Sequence, residues 1–167
     1  GIHEVANGGY LNNRGGGIYC YSSNTILDNV TIFGNSAIDG DQSLGGGMYC
    51  SNSNPTLTNV IIIGNSASIG GGLVLDQSNI PIFSNVVISE NYAAHASGGL
   101  DLNWSNPILT NVTISNNTAY LGGGIQCFNS SPTLQNVTII GNDASNGGGI
   151  WDVGSSASLE NVTINGN

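Results

Sequence analysis

Gly45-Gly46-Gly47-Met48-Tyr49-Cys50-Ser51-Asn52-Ser53-Asn54-Pro55-Thr56-Leu57-Thr58-Asn59-Val60-Ile61-Ile62-Ile63-Gly64-Asn65-Ser66-Ala67 contains the whole plan of the chain. Three glycines lead into Met48-Tyr49-Cys50, where strand alternation sends Met48 and Cys50 to one side and Tyr49 to the other. Ser53-Asn54-Pro55 is a turn, and a proline there stops a ladder without interrupting a strand. Leu57 is the single apolar residue of a second short strand. Asn59 then opens a third, in which Val60 and Ile62 share a side. Apolar residues in ones and twos, separated by turns, do not supply the 3.6-residue stripe over about ten residues that a helix requires.

The same unit recurs along the chain. The last glycine of each run falls at Gly17, Gly47, Gly72, Gly99, Gly124 and Gly149, so the steps are 30, 25, 27, 25 and 25 residues. Asn-Val pairs keep phase with it, beginning at Asn29, Asn59, Asn85, Asn111, Asn136 and Asn161. Six residues beyond each stands another asparagine: Asn35, Asn65, Asn91, Asn117, Asn142 and Asn167. Self-similarity at a fixed short period is the signature of stacked repeats. The second strand contributes one column of Leu27, Leu57, Phe83, Leu109, Leu134 and Leu159.

One repeat has no face on which to bury these residues. Stacking each repeat about 4.8 Å above the last pairs every strand with its own copy and aligns like side chains. Each fully buried aliphatic side chain then contributes roughly 1.5–3 kcal/mol, but only when both neighbours are present. An asparagine amide offers a donor and an acceptor, so an Asn column can bond up and down a corner where backbone groups lack partners. Glycines at the other corner accept positive φ and close approach between coils. The expected fold is all-β: a parallel solenoid of about six coils of 25–30 residues, with three short strands per coil. Residues 15–167 form the repeats, and residues 1–14 an incomplete N-terminal coil or loop.

Composition narrows the function. Of 167 residues only 7% are charged, and Arg14 stands alone against ten acidic residues, giving a net charge of −9. Such a chain cannot neutralise phosphate, so neither nucleic acid nor insertion into an anionic membrane is expected. No stretch of about 18 apolar residues and no leader-like segment is present, so neither a membrane span nor a signal peptide is expected within these residues. Cys20, Cys50 and Cys127 are an odd set that implies no closed disulfide framework. All three fall in one inward column, where buried thiols serve as small hydrophobes.

Gly45-Gly46-Gly47-Met48-Tyr49-Cys50, Asn54-Pro55-Thr56-Leu57-Thr58-Asn59-Val60 and Gly64-Asn65-Ser66-Ala67 resemble the repeats of bacterial right-handed parallel β-helix proteins. The likeness is to the polymorphic outer-membrane-protein type and related secreted surface proteins, with the pectin-lyase-like fold, and it covers Gly15 to Asn167. It implies a right-handed solenoid located outside the cell or on its surface. Its motifs are specific for architecture and not for activity, since the fold carries adhesins, stalks and polysaccharide-cleaving enzymes alike. Unlike the outer-membrane family, these residues include no C-terminal membrane barrel.

Several side chains stand out from the repeat. Tyr19, Tyr49 and Trp151 share the outward column of the first strand with Val74, Asp101 and Gln126, a face suited to sugar rings or a protein partner; the plainer expectation is cross-coil packing. Asp76 and Asp101 fall in adjacent coils, with Trp104 and His95 near in sequence, and a carboxylate pair is what glycoside hydrolysis requires. Asp39-Gly40-Asp41 occupies a turn lengthened by five residues, where acidic oxygens around a glycine suit Ca²⁺, although only two carboxylates are supplied. Thr31, Phe33, Ile61, Ile63, Thr113, Thr138 and Ile140 form an uncharged outward face on the third strand, the kind of surface that associates with another copy.

The leading expectation is a non-enzymatic structural or adhesive solenoid, acting as stalk, spacer or filament. Its partners would be further coils of a longer chain, copies stacked end to end or side by side, or glycans. No cofactor is implied beyond Ca²⁺ at Asp39 and Asp41. A carbohydrate-active enzyme or glycan-binding module is the first alternative, and an ice-binding solenoid the second, weakened because Thr is not paired with Thr across each strand.

Overall fold

A computed structural model describes residues 13–37 and 42–167. Asp39 and Asp41 therefore lie outside the described residues. Three six-stranded parallel sheets run the length of the molecule, one for each strand of the repeat. The first sheet stacks Ile18–Tyr21, Met48–Ser51, Leu73–Asp76, Leu100–Asn103, Ile125–Phe128 and Ile150–Val153. Each strand pairs with its copy one coil away, as the repeat requires: Leu57 stands opposite Phe83, and Ile62 opposite Ile88.

The columns make the core. Met48, Cys50, Leu57, Val60, Ile62, Leu73, Leu75, Phe83 and Ile88 are all fully buried and form one cluster with their copies. Burial needs a coil on both sides, and the second-strand column shows it: Leu134 is 1% exposed and Leu159, in the last coil, 50%. The inward column of the first sheet runs Cys20, Cys50, Leu75, Leu102, Cys127 and Asp152.

The two asparagine columns differ. Asn65, Asn91, Asn117 and Asn142 are buried, and each side-chain oxygen accepts both the main-chain N–H and the side-chain amide of the asparagine one coil before. Asn59, Asn85, Asn111 and Asn136 are exposed, with φ between 53° and 55°. These residues hold the left-handed corner that opens the third strand, a conformation asparagine tolerates better than most. Their side chains still link coil to coil, Asn85 donating to Asn59 at 3.2 Å.

The glycine corner packs backbone on backbone. A Cβ on Gly46 would sit 2.4 Å from both the Gly71 and Ser66 carbonyl oxygens, so no larger residue fits between these coils.

A fourth, shorter ladder lies in the segment returning to the glycines, which sequence periodicity does not disclose. Ser36–Ala37, Ser66–Ile69 and Tyr92–Ala96 pair in parallel, and bridges through Thr118, Leu121, Asp143 and Asn146 extend the pairing. Arg14 joins at the other end by bridging to Leu44, which bridges in turn to Ile69. This ladder brings Leu44 and Ile69 alongside the outer face of the first sheet.

Candidate functional site

Strand alternation sends two columns outward from the first sheet. One is Tyr19, Tyr49, Val74, Asp101, Gln126 and Trp151; the other, two residues on, is Tyr21, Ser51, Asp76, Asn103, Phe128 and Val153. Pointing away from the core does not leave the first column in water. Tyr49, Val74 and Asp101 are only 1%, 2% and 6% exposed, because the return segment and neighbouring coils cover them. The column is a partly covered one, packed across coils, in which Tyr19 at 44% is the exposed member of a stacked pair with Tyr49.

The uncovered part of this face is a groove of about 440 Å³. Leu44 and Ile69 line it from the return segment; Tyr49, Val74, Asp76, Asp101, Asn103, Gln126 and Phe128 line it from four successive coils; Arg14 completes it. The Arg14 guanidinium lies 5.1 Å from the centre of the Tyr49 ring, and the Tyr19 and Tyr49 rings stack at 5.7 Å and 8°. Phe128 is 40% exposed and gives the groove an apolar wall.

Asp76 and Asp101 both line the groove but are not directly opposite. Asp101 pairs in register with Val74, and Asp76 with Asn103, so the carboxylates lie diagonally on adjacent coils. From strand spacing and rise, their Cα atoms are about 8 Å apart. Asp76 is engaged on both oxygens: Oδ2 accepts from the Tyr49 hydroxyl at 3.1 Å and the Ser51 hydroxyl at 3.4 Å, and Oδ1 from the Asn103 amide at 3.1 Å. Asp101 is the opposite case. Its Oδ1 is buried without a hydrogen-bond partner, as is Oε1 of Gln126 in the adjoining coil. Burial, with the Asp76 charge adding to it, pushes the Asp101 carboxyl up to about 7. Burial and Asp76 together raise the Tyr49 hydroxyl to about 12.

The remaining candidates fall elsewhere. Trp104 sits at a corner with φ 50° and is 59% exposed, outside the groove. Trp151 is half-buried in the last coil, opposite Gln126, and does not line the groove either. His95 is exposed in the return segment. On the third sheet, Thr31, Phe33, Ile61 and Ile140 are exposed, while Ile63, Thr113 and Thr138 are half-buried. The apolar run there is interrupted, since the column from Phe33 to Ile63 continues through Ser89 and Ser115 before Ile140. Thr113, Thr138 and Thr163 are the longest threonine run in its companion column.

Among the described residues, no group of three or more His, Cys, Asp or Glu is placed to hold a metal ion. Sequence reasoning passed over Arg14, Asn103 and Phe128 as groove residues. Alternation could have placed Asn103 and Phe128 beside Asp76, but Arg14 depends on the return ladder.

The family described as right-handed beta helix region matches residues 10–167. No curated protein and no solved structure matches the chain.

Proposed function

From a chain that belongs to the right-handed β-helix family, we propose an extracellular adhesive solenoid: a rigid stack of coils that acts as a spacer and contacts a neutral glycan through the first-sheet groove. The observation that carries this reading is the make-up of the groove. An exposed phenyl ring and a stacked tyrosine pair adjoin amide and carboxylate groups held in place by neighbouring coils. Sugars present apolar ring faces together with hydroxyl donors and acceptors, and sites of that chemistry pair apolar walls with a few fixed polar groups. One cation among ten acidic residues favours a neutral ligand over an acidic one.

Glycoside hydrolysis is the second reading, favoured by two nearby carboxyl groups whose surroundings differ so strongly. We place it behind binding, because Asp76 already accepts three hydrogen bonds and Asp101 is nearly covered. A base or nucleophile needs a free oxygen facing the substrate.

Calorimetric titration with a panel of neutral oligosaccharides separates these possibilities. Binding that weakens at least tenfold on Phe128→Ala or Asn103→Ala, with no product formed, supports adhesion. Release of reducing sugar that disappears in Asp101→Asn would replace adhesion with hydrolysis, and no binding to any member of the panel would remove the groove's role.

A further inference from the structure

Cys20 and Cys50 stand directly opposite each other on adjacent parallel strands, both facing the core. Strand spacing places their Cα atoms about 4.8 Å apart, inside the range of about 4.4–6.8 Å that a disulfide spans. Both are free thiols. The third cysteine tests whether this is only proximity within a column. Leu75 and Leu102 lie between Cys50 and Cys127, which puts the latter pair three strand spacings apart, about 14 Å. No disulfide reaches that far.

We propose that Cys20 and Cys50 are a redox modification site, forming a disulfide that staples the first coil to the second when the protein meets a disulfide oxidant of the glutathione class.

The two sulfurs are not equivalent. The hydrogen bond from Cys50 lowers the Cys20 thiol to about 6, and the same contact, with burial, raises Cys50. The Thr25 hydroxyl, 3.2 Å from Cys20 Sγ, adds to the stabilisation of the Cys20 thiolate. Cys20 is accordingly the attacking sulfur, because the thiolate is the nucleophile. Its Sγ attacks one sulfur of oxidised glutathione, breaking that S–S bond and releasing one glutathione thiolate. Cys50 Sγ, giving up its proton to the released thiolate, then attacks Cys20 Sγ and expels the second glutathione. The two cysteines lose two electrons, and one oxidised glutathione becomes two thiols.

Access comes from the first coil itself. Its strands alternate exposed residues with half-buried or buried ones, Cys20 among the buried, whereas Met48–Ser51 in the second coil is buried throughout. A coil with so little cover opens locally more often than the interior of the stack. The link would close the longest repeat of the chain, 30 residues from Cys20 to Cys50, and so remove much of the freedom of the opened coil.

The experiment is equilibration of the folded chain in a glutathione redox buffer, followed by intact mass, thiol titration and peptic mapping. The expected result is a fall from three free thiols to one, a loss of two hydrogen masses, and a linked peptide pair containing Cys20 and Cys50. Cys127→Ser should form the same link. Amide exchange across Ile18–Phe33 should slow roughly a hundredfold in the oxidised form. Three persistent thiols, a glutathione adduct that never resolves, or a link through Cys127 would each overturn the proposal.

Discussion

The side-chain amide of Asn91 donates to Asn117 Oδ1 at 2.9 Å, and the same oxygen receives the Asn91 main-chain N–H at 3.0 Å. Asn91 also donates to the Ile62 carbonyl and accepts two bonds from Asn65. One buried side chain therefore satisfies polar groups in three successive coils. Aliphatic columns alone would hold the stack but would leave these backbone groups unpaired in an apolar interior.

Replacing Asn91 by alanine leaves the buried Asn65 N–H without its acceptor and takes one partner each from the Asn65 amide, which keeps the Ile32 and Ile63 carbonyls, and from the Ile62 carbonyl. The expected loss is about 2–4 kcal/mol, measured by urea denaturation. Asn111→Gly, at an exposed corner with φ 55°, keeps the backbone conformation and should cost less than about 1 kcal/mol. Equal losses at the two positions would remove the distinction drawn between the asparagine columns.

Two glycines separate steric from conformational need. Gly46→Ala drives a methyl group into the Gly71 and Ser66 carbonyls, and should cost more than about 3 kcal/mol. Gly34, with φ +64° and nothing within 4 Å of an added Cβ, should lose only about 1–2 kcal/mol on the same change. Thermal unfolding by circular dichroism ranks the pair.

Asp101 gives the stack a pH dependence. Its carboxyl is raised to about 7 in the folded state, mainly by burial and secondly by Asp76, against about 4 when unfolded. Between these values the folded chain holds a proton that the unfolded chain has released, so stability falls as pH rises through the window and levels off above about 7. The change is on the order of 4 kcal/mol. Asp101→Asn should flatten the slope and be the more stable form at pH 8. Urea midpoints at pH 5 and pH 8 check this; parallel slopes for the two proteins would contradict it.

The columns were readable in the sequence because every strand repeats against its own copy, so position within the repeat determines the neighbour. Leu57 beside Phe83 and Cys20 beside Cys50 follow from spacing alone. The environment of Tyr49 did not. Alternation tells which way a side chain leaves the strand, but it is silent on whether a connecting segment covers it, and the connections are the parts that vary in length. The burial of Asp101 has the same origin. Its offset from Asp76 did follow from the columns: Asp101 shares the column of Val74, so Asp76, two residues on, lies on the same face but diagonally across.

The groove is the centre of the functional account, and mapping amide chemical shifts while titrating a bound neutral oligosaccharide tests it most directly. Shifts are expected to concentrate at Tyr49, Asp76, Asn103, Gln126 and Phe128, with the third-sheet face around Phe33 and Ile61 unchanged. Shifts gathered on that third-sheet face instead, with the groove silent, would contradict it.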